Sequence, residues 1–124
     1  MKLLFTSIFI FLLLTGCDMG STFDEMAKKN PDAKARMIAA DYGCLSCHTV
    51  DNSVVGPAWR LVAKRYQGDA DIRGKLINSI KHGSRGQWNV AKGEKMPAFV
   101  DRMSDEEIGV MIDYIIGLNV EPVK

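Results

Sequence analysis

Apolar side chains in this sequence form one continuous run near the start and then four spaced sets. Residues 3–14 are almost wholly apolar, interrupted only by Thr6 and Ser7, and they follow one cation, Lys2. The run is too short for a bilayer core, which takes about 20 residues, and has the form of the apolar part of a signal peptide. From Asp18 to Asn30 the chain is polar, with no sustained stripe. Ala35, Ile38 and Tyr42 then fall at helical spacing and predict a helix with one apolar face. Asn30 and Pro31 suit its N-cap and first position, and Gly43 breaks it.

Three further helices follow from the same periodicity. Ala58 to Tyr66 places Trp59, Val62, Ala63 and Tyr66 inward, and Gly68-Asp69 ends it. Asp71 to Lys81 places Ile72, Leu76, Ile77 and Ile80 inward. Ser104 to Leu118 is the clearest, with Ile108, Met111, Ile112 and Ile115 as its core stripe. Ser104 and Glu107 have capping-box spacing, and Asp105 and Glu106 favour the first turn. Residues 44–57 read as a loop, and the glycine-rich segment 83–97 as largely irregular. No strand pattern of useful length and no internal repeat is visible, so the predicted class is all-α, with four to five helices.

A length of 124 residues suggests one domain, and 47% apolar and 25% charged residues are ordinary for a globular chain. A formal net charge of +1 gives no reason to expect a nucleic-acid partner. The N-terminal run ends in Leu14-Thr15-Gly16-Cys17, which resembles the bacterial lipobox. That resemblance implies that residues 1–16 are cut away as a lipoprotein signal peptide and that the Cys17 sulfur carries a diacylglyceryl group. More than one acyl chain gives stable anchoring. Asp18 resembles an inner-membrane retention signal of enteric bacteria. Residues 17–30 would then be a flexible lipidated spacer reaching on the order of 20 Å, and 31–124 the folded domain.

The strongest chemical signal is Cys44-Leu45-Ser46-Cys47-His48, the attachment pattern of haem c. Two thiols at this spacing can add to the two haem vinyl groups, and the histidine that follows is placed under the iron. A thioredoxin-like pair would need a surrounding βαβ pattern, which is missing. A zinc site would need a further ligand at suitable spacing, and there is no second cysteine pair. Covalent haem attachment takes place outside the cytoplasm, which agrees with the export signal. With Cys17 assigned to lipid, no cysteine remains for a disulfide.

At this point the sequence resembles class I cytochromes c, particularly small bacterial ones of the c-551 or c8 type. The resemblance runs from about Pro31 to Leu118. It is carried by the Cys44–His48 motif, by Val55-Gly56-Pro57-Ala58, by Lys81-His82-Gly83-Ser84-Arg85-Gly86-Gln87-Trp88, by Lys95-Met96-Pro97, and by Ser104-Asp105-Glu106-Glu107. It implies the cytochrome c fold, with helices packed around one covalently bound haem c. It also implies that Met96 binds the iron opposite His48. The residues agree, because Met96 lies late in an irregular segment that can cross the haem face. Met103 and Met111 fit core packing better.

The resemblance implies two more roles. The Pro57 carbonyl accepts from His48 Nδ1–H, and Trp88 donates its indole N–H to a haem propionate; an ordinary turn and plain core packing are the alternatives. There are departures from the family. The stretch from Trp88 to Met96 is longer than in the shortest members, and an arginine that often meets a propionate is here Ser79, with Arg85 or Lys92 as replacements. His82 next to Gly83 reads as a solvated helix end.

A His/Met iron has no free coordination position and suits outer-sphere electron transfer. The expected role is a single-electron carrier, not an enzyme, with redox proteins as transient partners, a membrane reached through lipid, and no small-molecule substrate. Lys92 and Lys95 either steer an acidic partner or are simply solvated. A haem-bearing subunit of an oxidoreductase complex is the main alternative, and a ligand-binding sensor or peroxidase a weaker one.

Overall fold

The computed structural model describes residues 28–90 and 94–118, together with Glu25 and Val120. The signal segment, Cys17, most of the spacer and Lys92 lie outside the described residues.

Helix α1 is Pro31–Asp41, and it starts as the sequence predicts: Ala33 N–H donates to Asn30 Oδ1 at 3.2 Å. A 3₁₀ turn follows at Cys44–Ser46, entered through Gly43 at φ 72°. Helix α2 is Trp59–Arg65, α3 is Ile72–His82 and α4 is Asp105–Gly117. Among the described residues no helix is long and apolar enough to cross a membrane.

Helix α4 is the hub. It packs against α1 first, and against α2 and α3 as well. Ala35 and Ala39 of α1 are completely buried, and their small side chains allow α1 to approach Ile108 and Ile112 of α4. Phe99 and Met103, from the approach to α4, complete the core. The capping box at the start of α4 is formed: Ser104 N–H donates to Glu107 Oε2 at 2.8 Å, and Glu107 N–H donates to Ser104 Oγ at 3.2 Å. The same Glu107 carboxylate accepts from Tyr42 Oη at 3.1 Å. Lys34 pairs with Glu106 at 3.0 Å, so α1 is tied to the first turn of α4 twice.

Two expectations are refined. Of the predicted α3 stripe only Leu76 is buried, while Ile72, Ile77 and Ile80 are half-buried. Leu76 and Ile80 face a large cavity, along with Ser79, so part of this stripe looks toward a space for a ligand rather than toward other side chains. The segment 83–97 holds a two-residue antiparallel ribbon, β1 (Ser84–Arg85) against β2 (Lys95–Met96). Such a ribbon is too short to leave an alternating pattern in sequence.

Candidate haem-binding site

The cavity has a volume of about 730 Å³ and a wall drawn from every helix except α1. Its lining is mainly apolar, including Val62, Leu76, Ile80, Phe99, Met111 and Ile115. Cys44, Cys47 and His48 all stand on this wall. The turn that carries them is closed by its own backbone: the Cys44 carbonyl accepts from Cys47 N–H at 3.2 Å and from His48 N–H at 2.9 Å. Burial pushes the Cys44 thiol up, with a backbone hydrogen bond and the Arg102 charge acting in the opposite direction. A redox-active thiol has the reverse displacement.

The histidine is fixed by the following loop. Its Nδ1 lies 2.8 Å from the Pro57 carbonyl oxygen. A carbonyl only accepts, so Nδ1 carries the proton, and in the neutral ring this leaves the Nε2 lone pair for a metal. The loop itself is held by Gly56 N–H on the Cys47 carbonyl at 2.7 Å and by Trp59 N–H on the Thr49 carbonyl at 3.0 Å. Gly56 has to be glycine, because a Cβ there would overlap His48 Cε1 and lie 2.8 Å from Nε2. Pro57, Ala58 and Trp59 are all buried.

The ribbon also borders the cavity. Met96 is half-buried on the cavity wall, and in the ribbon its partner is Ser84. Gly83, at φ 77°, lets α3 turn into β1, and a Cβ there would run into the Met96 carbonyl oxygen. Trp88 also lines the cavity. Arg65 holds it from outside: the guanidinium carbon is 4.4 Å from the indole centroid, and Nη1 donates to the Gln87 carbonyl at 2.6 Å. Tyr66 meets Trp88 edge-on at 6.4 Å.

Sequence reasoning named six residues that all stand on this wall: Cys44, Cys47, His48, Pro57, Trp88 and Met96. Arg85 reaches the rim, whereas His82 is exposed at the end of α3 and outside the lining. Sequence reasoning missed Tyr42, Arg102 and the stacking of Trp59 on His48. Met103 and Met111 are core residues as expected, yet both also touch the cavity. The signal for Trp59 was present, since it directly follows Gly56-Pro57-Ala58, but helical periodicity shows only that it points inward.

A large flat apolar group fits this wall. Two thiols are spaced on one turn, an oriented imidazole follows them, and glycine leaves the ring room. No cluster of three or more His, Cys, Asp or Glu suited to a metal ion forms among the described residues. Three helices and a cysteine–histidine turn closed on such a cavity define a protein that binds a porphyrin covalently.

Comparison with known proteins agrees. The profile of the family described as cytochrome c oxidase, cbb3-type, subunit III matches residues 29–115. Cytochrome c2 of Rhodocyclus tenuis is 33% identical over 81 residues, spanning 65% of this chain and 88% of that protein. Cytochrome c-551 of Pseudomonas denitrificans is 36% identical over 75 residues, spanning 60% and 85%. The crystal structure of wild-type Nitrosomonas europaea cytochrome c552 is similar with a TM-score of 0.60 and 33% identity, covering 68% of this chain and 99% of that one. The chain belongs to this family, and within it to the class I monohaem c-type cytochromes: all-α electron carriers, not enzymes, with one haem c bound covalently, here through Cys44 and Cys47.

Proposed function

We propose that His48 Nε2 and Met96 Sδ would hold the haem iron, that Trp88 N–H would meet a haem carboxylate, and that the protein passes single electrons between redox proteins outside the cytoplasm. The observation that carries this reading is the His48 Nδ1 hydrogen bond to Pro57 on the cavity wall, at 2.8 Å. The haem supplies the redox centre, an iron that gains and loses one electron. The chain's residues do the rest. Pro57 and Gly56 hold the imidazole, the ribbon presents Met96, and the apolar wall excludes water. If both residues hold the iron, the reduced protein is expected to be inert to carbon monoxide on mixing, and Met96→Ala to bind it rapidly. Rapid binding by the wild type overturns the two-ligand reading.

The partner class follows from the rim. Arg85 and Lys95 are directly opposite in the ribbon and both exposed, an arrangement that disfavours the pairing. Neither forms an ion pair among the described residues. Cations kept in this position suit brief docking of an acidic redox protein, helped by Lys92. Electron-transfer rates should therefore fall as salt rises, and a rate indifferent to salt removes the steering role.

The lipobox supports export, with residues 1–16 as leader, Cys17 as lipid anchor, 17–30 as tether and 31–124 as haem domain. Labelled palmitate should enter the wild type and not Cys17→Ser; equal labelling of both contradicts the anchor. A second reading, a haem-bearing subunit of an oxidoreductase complex, draws on the description of the matched family. Stable co-purification with a larger enzyme separates it from the free carrier.

A further inference from the structure

We propose that Trp59 is a positioning residue for His48, fixing the plane of the imidazole and shielding its bond to Pro57. This rests on the reading that His48 ligates the iron. The hydrogen bond from Nδ1 to the Pro57 carbonyl, at 2.8 Å, anchors one corner of the ring. A single anchor leaves the ring free to tilt about it. Two neighbours remove that freedom. Gly56 backbone lies so close that a Cβ on it would fall 2.8 Å from Nε2 and 2.9 Å from Nδ1. The Trp59 indole is stacked with the imidazole, with centroids 6.0 Å apart and planes inclined by only 14°.

Trp59 is itself immobilised. It is 4% exposed, and its backbone N–H is bonded to the Thr49 carbonyl at 3.0 Å. Tyr114 of α4 braces it edge-on, at 5.9 Å and 88°. Among the described residues, the buried Tyr114 hydroxyl has no hydrogen-bond partner. A buried orphan hydroxyl is costly, so what this side chain contributes here is its ring. The result is a three-ring column, His48–Trp59–Tyr114, that links the candidate ligand to the hub helix. An imidazole held this way keeps its Nδ1–H bond intact, and that bond sets the basicity of Nε2 toward the metal.

The test uses the haem-loaded protein. Exchange of the His48 Nδ1 proton with deuterium, followed by NMR, reports the shielded bond directly. The ferric haem-methyl shift pattern reports the imidazole plane. Trp59→Leu is expected to accelerate exchange by roughly tenfold or more, the measure of a local opening, to reorder the methyl shifts and to move the reduction potential. Trp59→Phe, which keeps a flat ring, should restore most of the wild-type behaviour. Ile112→Val, a core change in α4 away from the cavity wall, should lower thermal stability and leave all three readouts unchanged.

If Trp59→Leu fails to load haem, Tyr114→Leu removes the brace from behind and should give a smaller change of the same kind. Destabilisation with unaltered exchange and methyl pattern, in a protein whose low-spin spectrum is lost in His48→Ala, overturns the positioning role alone. A low-spin spectrum that survives His48→Ala overturns the ligand reading and this role together.

Discussion

The two sides of the cavity are built differently. The His48 side is short and locked. One turn carries both thiols and the imidazole, backbone hydrogen bonds close it, and three consecutive buried residues, Pro57 to Trp59, back it. The Met96 side is an arm. It leaves α3 at Gly83, returns through a two-residue ribbon, and has exposed neighbours at Lys95 and Pro97. It is fastened by Arg65 on Trp88 and Gln87, and where it returns by Phe99 and Val100 N–H on the Ile80 and Lys81 carbonyls of α3. The difference teaches that the proposed histidine ligand is held by a closed turn and the core behind it, and the proposed methionine ligand by a short two-residue ribbon.

Substitutions at the two glycines break this comparison most sharply. Gly56→Ala drives a Cβ into the His48 ring, which its bond to the Pro57 carbonyl keeps from moving aside. A loss of about 3 kcal/mol is expected, with disturbed low-spin absorption, measured by denaturant unfolding and visible spectra. Gly83→Ala meets the Met96 carbonyl at φ 77° and ψ 176°, a backbone region essentially reserved for glycine, where a side chain costs roughly 1–3 kcal/mol. The ribbon should shift instead of failing, so haem stays attached while methionine ligation weakens. Equal damage from both changes would erase the contrast.

Smaller effects sharpen it. Tyr114→Phe keeps the edge-on ring against Trp59 and removes an orphan hydroxyl, so a gain of up to about 1 kcal/mol is expected. That is a rise of about 4–8 °C in Tm per kcal/mol for a domain of this size. A clear loss would mean that the hydroxyl has a partner after all. Smallest is Glu107→Gln. Backbone and side-chain hydrogen bonds from Ser104, then Tyr42 and Lys34, hold the Glu107 carboxyl below its ordinary range. A group depressed in the folded state stabilises above its unfolded value, near 4.3, and loses that contribution as pH falls through the folded value. The variant should melt below the wild type at pH 7, and the gap should close in acid. A gap independent of pH would assign the effect to packing.

Much of this was legible in sequence because its causes are local. Asn30-Pro31 and Ser104 with Glu107 mark helix starts through contacts three residues long, and the helical stripes of α1, α2 and α4 follow from spacing alone. The Cys44–His48 turn is likewise a local device. What was not legible is tertiary. The α3 stripe gave no sign that Leu76 and Ile80 face a ligand cavity, since apolar spacing does not distinguish a porphyrin from a side chain. Arg65 and Trp88 are far apart in sequence, and nothing in their spacing pairs them. Trp59 read as core, which is true of its burial and silent about its neighbour.

The central claim is that His48 and Met96, both on the wall of one cavity, would hold the same iron. The weak long-wavelength absorption of ferric methionine-ligated haem tests it most directly. Met103 and Met111 also reach the cavity, so the comparison needs Met96→Ala beside Met103→Leu and Met111→Leu. The account predicts a band in the wild type and in the two leucine variants, and none in Met96→Ala. A band that persists without Met96, or one that never appears in the wild type, contradicts it.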